Sequence, residues 1–327
     1  METKLARVQK KQVKEHAAKL RMNDFPTKMK SFLLGVQGNN GFLFKLCVYS
    51  LLIGIGFVYL FPIIYMGSYS FKSLEDLLNP LVSWIPSTFY LENYEVAYKV
   101  LDMLPTLMET LYVTVIPSIA QTAVAAIIGY GFARFEFPIK KVLFALVLIT
   151  FIIPPQVLMI PRYVFFNELE LVGSIFAFLL PAAFGQGLNS AIFILIFYQF
   201  FRMIPKSLEE AAHLDGAGHF RIFLRIALPM AVPAIIISFL FSFVWYWNET
   251  ALASLYFGNE LTTLPIQLEK FNATFDKLYT GDAETQNINE GISMAGTMLS
   301  ILPLLIVYFF TQRWFVEGVD RSGITGE

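Results

Sequence analysis

The chain has 327 residues, of which 56% are hydrophobic and only 15% are charged, and its formal net charge is −1. Soluble globular proteins contain about 45–50% apolar and about 25% charged residues, so this composition argues against a soluble enzyme. The 33 phenylalanines and 15 tyrosines require burial, which excludes a disordered chain. A single cysteine, Cys47, excludes an internal disulfide framework and a cysteine-rich metal site. The class that remains is a polytopic membrane protein.

Six stretches are long and apolar enough to cross a membrane, which takes roughly 20 residues of helix. They cover residues 45–69, 107–132, 142–164, 173–201, 230–250 and 295–315. The third stretch contains Pro154-Pro155, which should bend it because neither residue has a backbone donor. The predicted fold is therefore all-α, a polytopic membrane protein with six transmembrane helices. Between the first two spans, residues 91–100 are predicted to form a short helix.

The lysines and arginines indicate the orientation of these spans. Most of the 24 basic residues lie on one side, in residues 1–41, 133–141, 202–228 and 312–327. Because basic loops remain in the cytoplasm, both termini are predicted to be cytoplasmic. The domain organisation is then a basic cytoplasmic tail over 1–44, a transmembrane domain over 45–315 and a cytoplasmic tail over 316–327. The basic N-terminal tail lacks the pattern of a cleavable signal peptide and suits contact with anionic membrane lipid.

The 202–228 loop carries the local signals of a short helix. Ser207 and Glu210 have the spacing of a capping box, and Glu209 also lies in the first turn, where the helix dipole favours a carboxylate. Gly216 supplies a left-handed stop. A helix of about two turns is unstable alone in water, so it must pack against something. From these residues alone, that surface is either the chain's own helix bundle or a partner.

A second helical stretch, 220–228, follows, and Pro229 marks the entry into the fifth span. The loop also offers an apolar face at the membrane surface. Its members are Leu208, Ala211, Ala212 and Phe220. The small alanines would permit a partner to approach closely.

The spacing of certain residue types in this loop is distinctive. They are Glu210-Ala211-Ala212, Asp215-Gly216-Ala217, Ile226, Leu228-Pro229 and Pro233. This string resembles the EAA motif of ATP-binding-cassette importer permeases. Further segments resemble the sugar-type, maltose permease-like subfamily: 129–135, Phe137-Pro138, Ile153-Pro154, 160–163, Trp247-Asn248-Glu249, Thr263-Leu264-Pro265 and Met294-Ala295-Gly296. The resemblance extends from about residue 45 to residue 326, although Gly129 and Gly131 stand where the family has alanines.

The resemblance implies a permease subunit of an ATP-driven, binding-protein-dependent importer for a sugar or oligosaccharide in the bacterial plasma (inner) membrane. The implied partners are a second permease subunit, two ATP-binding subunits and an extracellular solute-binding protein. In that family the EAA helix inserts into a groove of the ATPase and transmits its closure to the spans. The ATPase-coupling residues that follow from the resemblance are Glu209, Glu210, Ala211, Ala212, Asp215, Gly216, Leu228 and Pro229.

The sequence predicts no catalytic residue, metal site, cofactor or nucleic-acid partner on this chain. It contains no G-x-x-x-x-G-K-S/T segment to hold a nucleotide phosphate, so ATP hydrolysis is expected on a partner chain. His213 and His219 are six residues apart and do not share a helix face, which argues against a metal site.

Four residues are candidates for a sugar path: Asn189, Trp245, Trp247 and Asn248. Aromatic rings can stack on pyranose faces, and amides can bond to hydroxyls. The alternative for the tryptophans is an aromatic belt at the membrane interface.

Other functions stay open at this point. They are an ion-coupled secondary carrier, a non-transporting scaffold, and an importer for a non-sugar solute such as a glycerol phosphate. The scarcity of ionisable residues inside the spans disfavours the ion-coupled carrier.

Overall fold

The computed structural model describes residues 35–36, 39–279 and 288–322, with side chains over 41–279 and 288–313. Residues 1–34 of the predicted basic tail and residues 323–327 of the predicted C-terminal tail lie outside the described part. The chain divides into two compact units, Met1–Met66 and Gly67–Glu327. In the first, strand β1 (Gly35–Val36) pairs antiparallel with β2 (Asn39–Asn40), and helix α1 (Phe42–Ser70) begins.

The described part of the second unit is built from helices and connecting loops. They are α2 (Leu74–Leu78), α3 (Glu92–Val100), α4 (Met103–Arg134), α5 (Lys140–Ile152), α6 (Pro155–Glu168), α7 (Phe176–Ala183), α8 (Ser190–Met203), α9 (Lys206–Leu214), α10 (His219–Ile222), a π-helix (Phe223–Ala227), α11 (Leu228–Met230), α12 (Val232–Asn248), α13 (Ala251–Phe257), α14 (Leu264–Glu269), α15 (Phe271–Tyr279) and α16 (Glu290–Ser322). The predicted helical class is confirmed, and so is the short helix expected over 91–100, which is α3.

Three helices are individually long and apolar enough to cross a membrane: α1, α4 and α16 up to Arg313. Three further pairs meet the criterion only together, and each pair is bent. The bends are 98° between α5 and α6, 71° between α8 and α9, and 76° between the 219–230 helical segment and α12. By length and composition the described residues therefore hold three spans, or up to six if each bent pair is one span.

Two of the predicted spans are interrupted in the structure. The bend expected at Pro154-Pro155 is confirmed, because α5 ends at Ile152 and α6 begins at Pro155. The fourth span, predicted as one continuous stretch over 173–201, is instead divided into α7 and α8. Gly185 and Asn189 adopt left-handed backbone conformations, with φ of 71° and 52°, and an α-helix cannot continue through such residues.

Helix α4 lies at the centre of the unit and packs most extensively against α8 and α12. Where α4 crosses α8, a Cβ built on Gly129 would lie 2.5 Å from Phe197 Cβ and 2.9 Å from the Tyr198 amide nitrogen. The two backbones therefore approach more closely than an alanine permits. Gly131, by contrast, has nothing within 4 Å of such a Cβ.

We expect Gly129→Ala to destabilise the protein by about 1–3 kcal/mol, because the added methyl must push the α8 backbone away. Gly131→Ala is the matched control: the same substitution, two residues away on the same helix, meets open space and removes a helix-interior glycine, so it should be neutral or stabilising. Thermal unfolding of the purified protein in detergent measures both. Equal midpoints for the two variants would contradict the tight crossing.

The N-terminal part of α4, far from Arg134, is hydrogen-bonded to the long segment that follows α12. Glu109 Oε2 accepts a hydrogen bond from the Thr262 backbone at 2.7 Å, and Thr110 Oγ1 accepts one from the Leu264 backbone at 2.8 Å. These side chains satisfy backbone donors near the start of α14. The carboxylate of Glu109 is thus engaged in fixing a loop.

Candidate coupling and substrate sites

The short helix predicted in the 202–228 loop is α9, and it starts earlier than predicted. Pro205 occupies the N-cap position, and no side chain caps the helix. Ser207 therefore lies inside the first turn, and the predicted capping box with Glu210 is wrong. Proline supplies a fixed φ ahead of a helix and has no amide of its own to satisfy, which suits it to this position.

The other end of α9 stops as predicted. Gly216 has φ of 81°, a conformation that L-residues with a side chain rarely adopt. The Ala217 amide donates to the Ala212 carbonyl at 2.9 Å, and the Gly216 amide donates to the His213 carbonyl at 3.0 Å. This pair of bonds is a Schellman motif, which satisfies the last carbonyls of the helix and turns the chain sharply back.

The reversal at Gly216 brings together two residues that are on different helices. The rings of His213 and His219 lie 4.6 Å apart, and His219 also contacts the ring of Phe135 at 5.2 Å. Within the described part of the chain, no cluster of three or more metal-ligating side chains accompanies them. The two histidines therefore close the turn by ring packing.

Most of α9 is left uncovered by this chain. Glu210, Ala211 and Asp215 are exposed, and Ala212 is half-buried. Leu214 is 90% exposed, and Phe220, just beyond the turn, is 74% exposed. Apolar side chains this exposed on a short polar helix are typical of a surface that a partner covers.

One side chain of α9 points into its own chain. Glu209 Oε1 lies 2.7 Å from Arg134 Nε, and the two side chains are only 13% and 5% exposed. Arg134 Nη2 also donates to the Ile204 carbonyl at 2.7 Å. The last residue of α4 thus holds both the first turn of α9 and the residue that leads into it. Arg134 is a site residue that the motif analysis missed, although it lies within the 129–135 segment.

A second ion pair lies beside the first, and one of its two partners is open to water. Lys140 Nζ is 2.8 Å from Glu136 Oε1; the glutamate side chain is 89% exposed and the lysine side chain is 18% exposed. The hydrogen bond from Lys140 lowers the pKa of the Glu136 carboxyl. Surface pairs of this kind contribute little to stability, so it offers a comparison for the buried pair.

The returning half of the 202–228 loop joins the helix core. The π-helix buries Phe223 and Ala227 against Tyr130 of α4 and Phe201 of α8. Leu228 and Pro229 form the short α11, immediately before the 76° bend into α12. The predicted helix over 220–228 thus starts one residue earlier and widens into a π-helix.

Residues 184–189, which separate α7 from α8, form a break in the fourth predicted span. A cavity of about 300 Å³ opens at this break. Its lining includes residues of the break, the α5–α6 bend and the end of α12, among them Asn189, Trp245 and Asn248. The fourth candidate, Trp247, does not line it. Trp247 is 2% exposed and packs against the ring of Phe243 in the core.

The break is held in shape by a buried hydrogen-bond network. Tyr246 Oη donates to Gln121 Oε1 at 2.8 Å, and Gln121 Nε2 donates to the Leu188 carbonyl at 2.6 Å. A Cβ on Gly187 would lie 2.6 Å from Tyr246 Oη and would also collide with Gln121 Oε1. The segment that lines the cavity is therefore fixed to α4 and α12 by groups that leave no space for a side chain at 187.

Comparisons with known proteins agree with this architecture. Residues 121–321 match the family model described as "Binding-protein-dependent transport system inner membrane component". A probable ABC transporter permease, YurM of Bacillus subtilis, is 31% identical over 81% of this chain and 84% of its own. The B. subtilis polygalacturonan/rhamnogalacturonan transport system permease YtcP is 29% identical over 87% of this chain and 99% of its own.

A solved structure shares the fold. It belongs to a bacterial ABC transporter involved in the import of the acidic polysaccharide alginate, with a TM-score of 0.71 and 23% identity. The match covers 84% of this chain and 96% of the other.

Proposed function

Because the chain belongs to the family of binding-protein-dependent transport system inner membrane components, we propose that it is the permease subunit of an ATP-driven importer for a sugar or oligosaccharide. Members of this family are non-catalytic transport components of the inner membrane. In this proposal the chain crosses the membrane six times, with both termini in the cytoplasm. A second permease subunit, two ATP-binding subunits and an extracellular solute-binding protein complete the transporter.

The observation that carries the proposal is the placement of α9. Its exposed Glu210, Ala211 and Leu214 are available to an ATPase subunit, whereas Glu209 fixes its inner side to Arg134. A movement imposed on α9 would therefore reach α4 directly and α12 through the returning half of the loop. Differential contact with the ATPase in its two states would bias the spans between two arrangements.

Several observations support a saccharide as the solute. Relatives are named for transport of polygalacturonan/rhamnogalacturonan, arabinooligosaccharides and starch degradation products. The cavity has the volume of a small-molecule site. It presents an aromatic ring, Trp245, with two amides, Asn189 and Asn248, which suits a polyhydroxylated ring. We therefore place the solute path along this cavity.

The test is a coupling assay on the reconstituted transporter. We expect Glu210→Lys to abolish ATP-dependent uptake without impairing membrane insertion, because it reverses the charge that faces the ATPase. Gly216→Pro should do the same, since proline cannot adopt φ of 81°. Glu269→Lys, the same change at an exposed position at the end of α14, is the control and should transport normally.

Uptake is measured with a radiolabelled oligosaccharide in proteoliposomes, and insertion by protease protection. Normal coupling in both variants would remove the assignment of the loop. Uptake that persists without the ATPase subunits and collapses with an ionophore would instead identify an ion-coupled carrier. The carboxylate of Glu109, engaged with the Thr262 amide, makes that outcome unexpected.

A further inference from the structure

The cavity at the break in the fourth span is lined by a cation, Arg162, for which the described residues supply no counter-ion. Arg162 of α6 lines the cavity and is half-buried. Across the described residues, its guanidinium forms no ion pair within 4 Å and no side-chain hydrogen bond. A guanidinium that is partly removed from water gains most from a planar, bidentate anion such as a carboxylate.

A second feature of the same cavity favours an anion. Helix α8, which is 14 residues long, begins at Ser190, and Asn189 at its N-cap makes no side-chain capping bond. Ser190 and Ala191 line the cavity, so the positive end of this helix faces it. Ser190 is 4% exposed, and its hydroxyl has no hydrogen-bond partner in the described part of the chain. A buried hydroxyl left unpaired in this way is costly unless a ligand completes it.

The cavity also contains a carboxylate, but that group is already engaged. Glu249 Oε1 accepts a hydrogen bond from the Leu252 backbone at 2.9 Å, at the start of α13. The Glu249 carboxylate therefore interacts with the N-terminus of α13, and it is not within ion-pair distance of Arg162. The free positive groups of the cavity are Arg162 and the start of α8.

We propose that this cavity binds an acidic saccharide, with the carboxylate of a uronate residue between Arg162 and the start of α8, Ser190 donating to it, and the sugar ring against Trp245. This inference rests on the proposed transport function and narrows its substrate class. The side chains around the cation favour a sugar acid over a phosphate ester, because Trp245 adds a stacking surface and Asn189 adds an amide. Asn248 adds an amide oxygen, since its Nδ2 already donates to the Val244 carbonyl at 2.8 Å.

The experiment compares a sugar acid with its uncharged counterpart. The full-length chain, purified from the membrane with the subunits that accompany it, is placed in lipid nanodiscs. Equilibrium binding of trigalacturonate and of its methyl ester is then measured, with glycerol 3-phosphate as a competitor. We expect the acid to bind about tenfold more tightly than the ester, the scale of one charge-assisted hydrogen bond.

Variants then test whether Arg162 causes the preference for the acid over the ester. Arg162→Gln should remove the preference for the acid by weakening its binding far more than that of the ester, whereas Arg162→Lys should keep part of the preference. Ser190→Ala should likewise weaken binding of the acid more than binding of the ester. Lys99→Gln removes an exposed cation on α3 and is the control that should behave as the unmodified chain.

Equal binding of acid and ester, no binding of either, or an equal loss of both in Arg162→Gln would overturn the inference. Stronger binding of glycerol 3-phosphate than of trigalacturonate would also overturn it. Failure here is distinguishable from failure of the proposed function, since ATP-driven uptake of a neutral oligosaccharide would continue if only this inference were wrong.

Discussion

Arg134→Gln is expected to lower ATP-coupled uptake by about tenfold or more, although the substituted residue is remote from the exposed side of α9. The substitution leaves the Glu209 carboxylate buried without its partner, and breaking one side of a buried ion pair costs about 3–5 kcal/mol. The bond from Arg134 to the Ile204 carbonyl is lost as well. We therefore expect α9 to separate from the end of α4, so that ATP hydrolysis no longer drives transport.

A double-mutant cycle isolates the pair from the single effects. Arg134→Gln, Glu209→Gln and the double variant are compared by thermal unfolding and by the ratio of sugar uptake to ATP hydrolysis. If the two charges interact, the double variant should be less damaged than the sum of the singles, by about 0.5–3 kcal/mol. Strict additivity would show that the proximity of the charges has no energetic consequence.

The exposed pair next to the buried one provides the control. Lys140→Gln removes a cation that pairs at 2.8 Å with Glu136, whose side chain is 89% exposed. Its effect on stability should stay below about 1 kcal/mol, because solvent screens an exposed pair. Arg134→Gln and Lys140→Gln with equal effects on coupling would contradict a special role for Arg134.

Sequence reasoning succeeded where a single residue imposes a local backbone constraint. Pro154-Pro155 interrupts the third span because neither residue can donate the bond that a helix needs there. Gly216 ends α9 because the chain reverses through a positive φ that glycine tolerates. These effects depend on a few neighbouring residues, so the sequence alone was enough to place them.

Predictions from the sequence were wrong where two possible helix start sites compete, and where one residue interrupts an apolar segment. The capping-box spacing of Ser207 and Glu210 was correct as a pattern, but Pro205 begins the helix earlier. In the fourth span, average hydropathy does not register the left-handed Asn189. The carbonyl of the preceding residue, Leu188, accepts a hydrogen bond from Gln121, which lies 67 residues away in sequence. The break therefore depends on residues distant in sequence.

The residues that line the candidate solute path were also only partly predictable from the sequence. The sequence offers Trp245 and Trp247 equally as candidates, yet only Trp245 lines the cavity. Residues two apart on an α-helix point about 200° apart, since there are 3.6 residues per turn. One therefore reaches the cavity and the ring of Phe193, 5.1 Å away, while the other is buried against Phe243. The direction of the cavity cannot be predicted from a uniformly apolar helix.

Among the glycines that the structure describes, Gly187 is the one where an added methyl is expected to be most damaging. The new Cβ would lie 2.6 Å from Tyr246 Oη and 3.0 Å from the Ala182 Cα, and it would also overlap Gln121 Oε1. Overpacking costs about 1–3 kcal/mol, and displacing Gln121 and Tyr246 leaves buried polar groups unpaired at about 1–3 kcal/mol more. The break that lines the cavity should lose its shape, and uptake should fall with stability.

Thermal unfolding and oligosaccharide uptake measure this change, with Gly131→Ala as the same substitution in open space. Tyr246→Phe separates packing from hydrogen bonding, because it removes the hydroxyl and leaves the ring. It should cost about 1–3 kcal/mol, less than Gly187→Ala, since Gln121 keeps its bond to the Leu188 carbonyl. A Gly187→Ala protein as stable and active as Gly131→Ala would mean that the break can relax around a side chain. In that case the hydrogen bonds of Gln121 and Tyr246 would not determine the shape of the cavity.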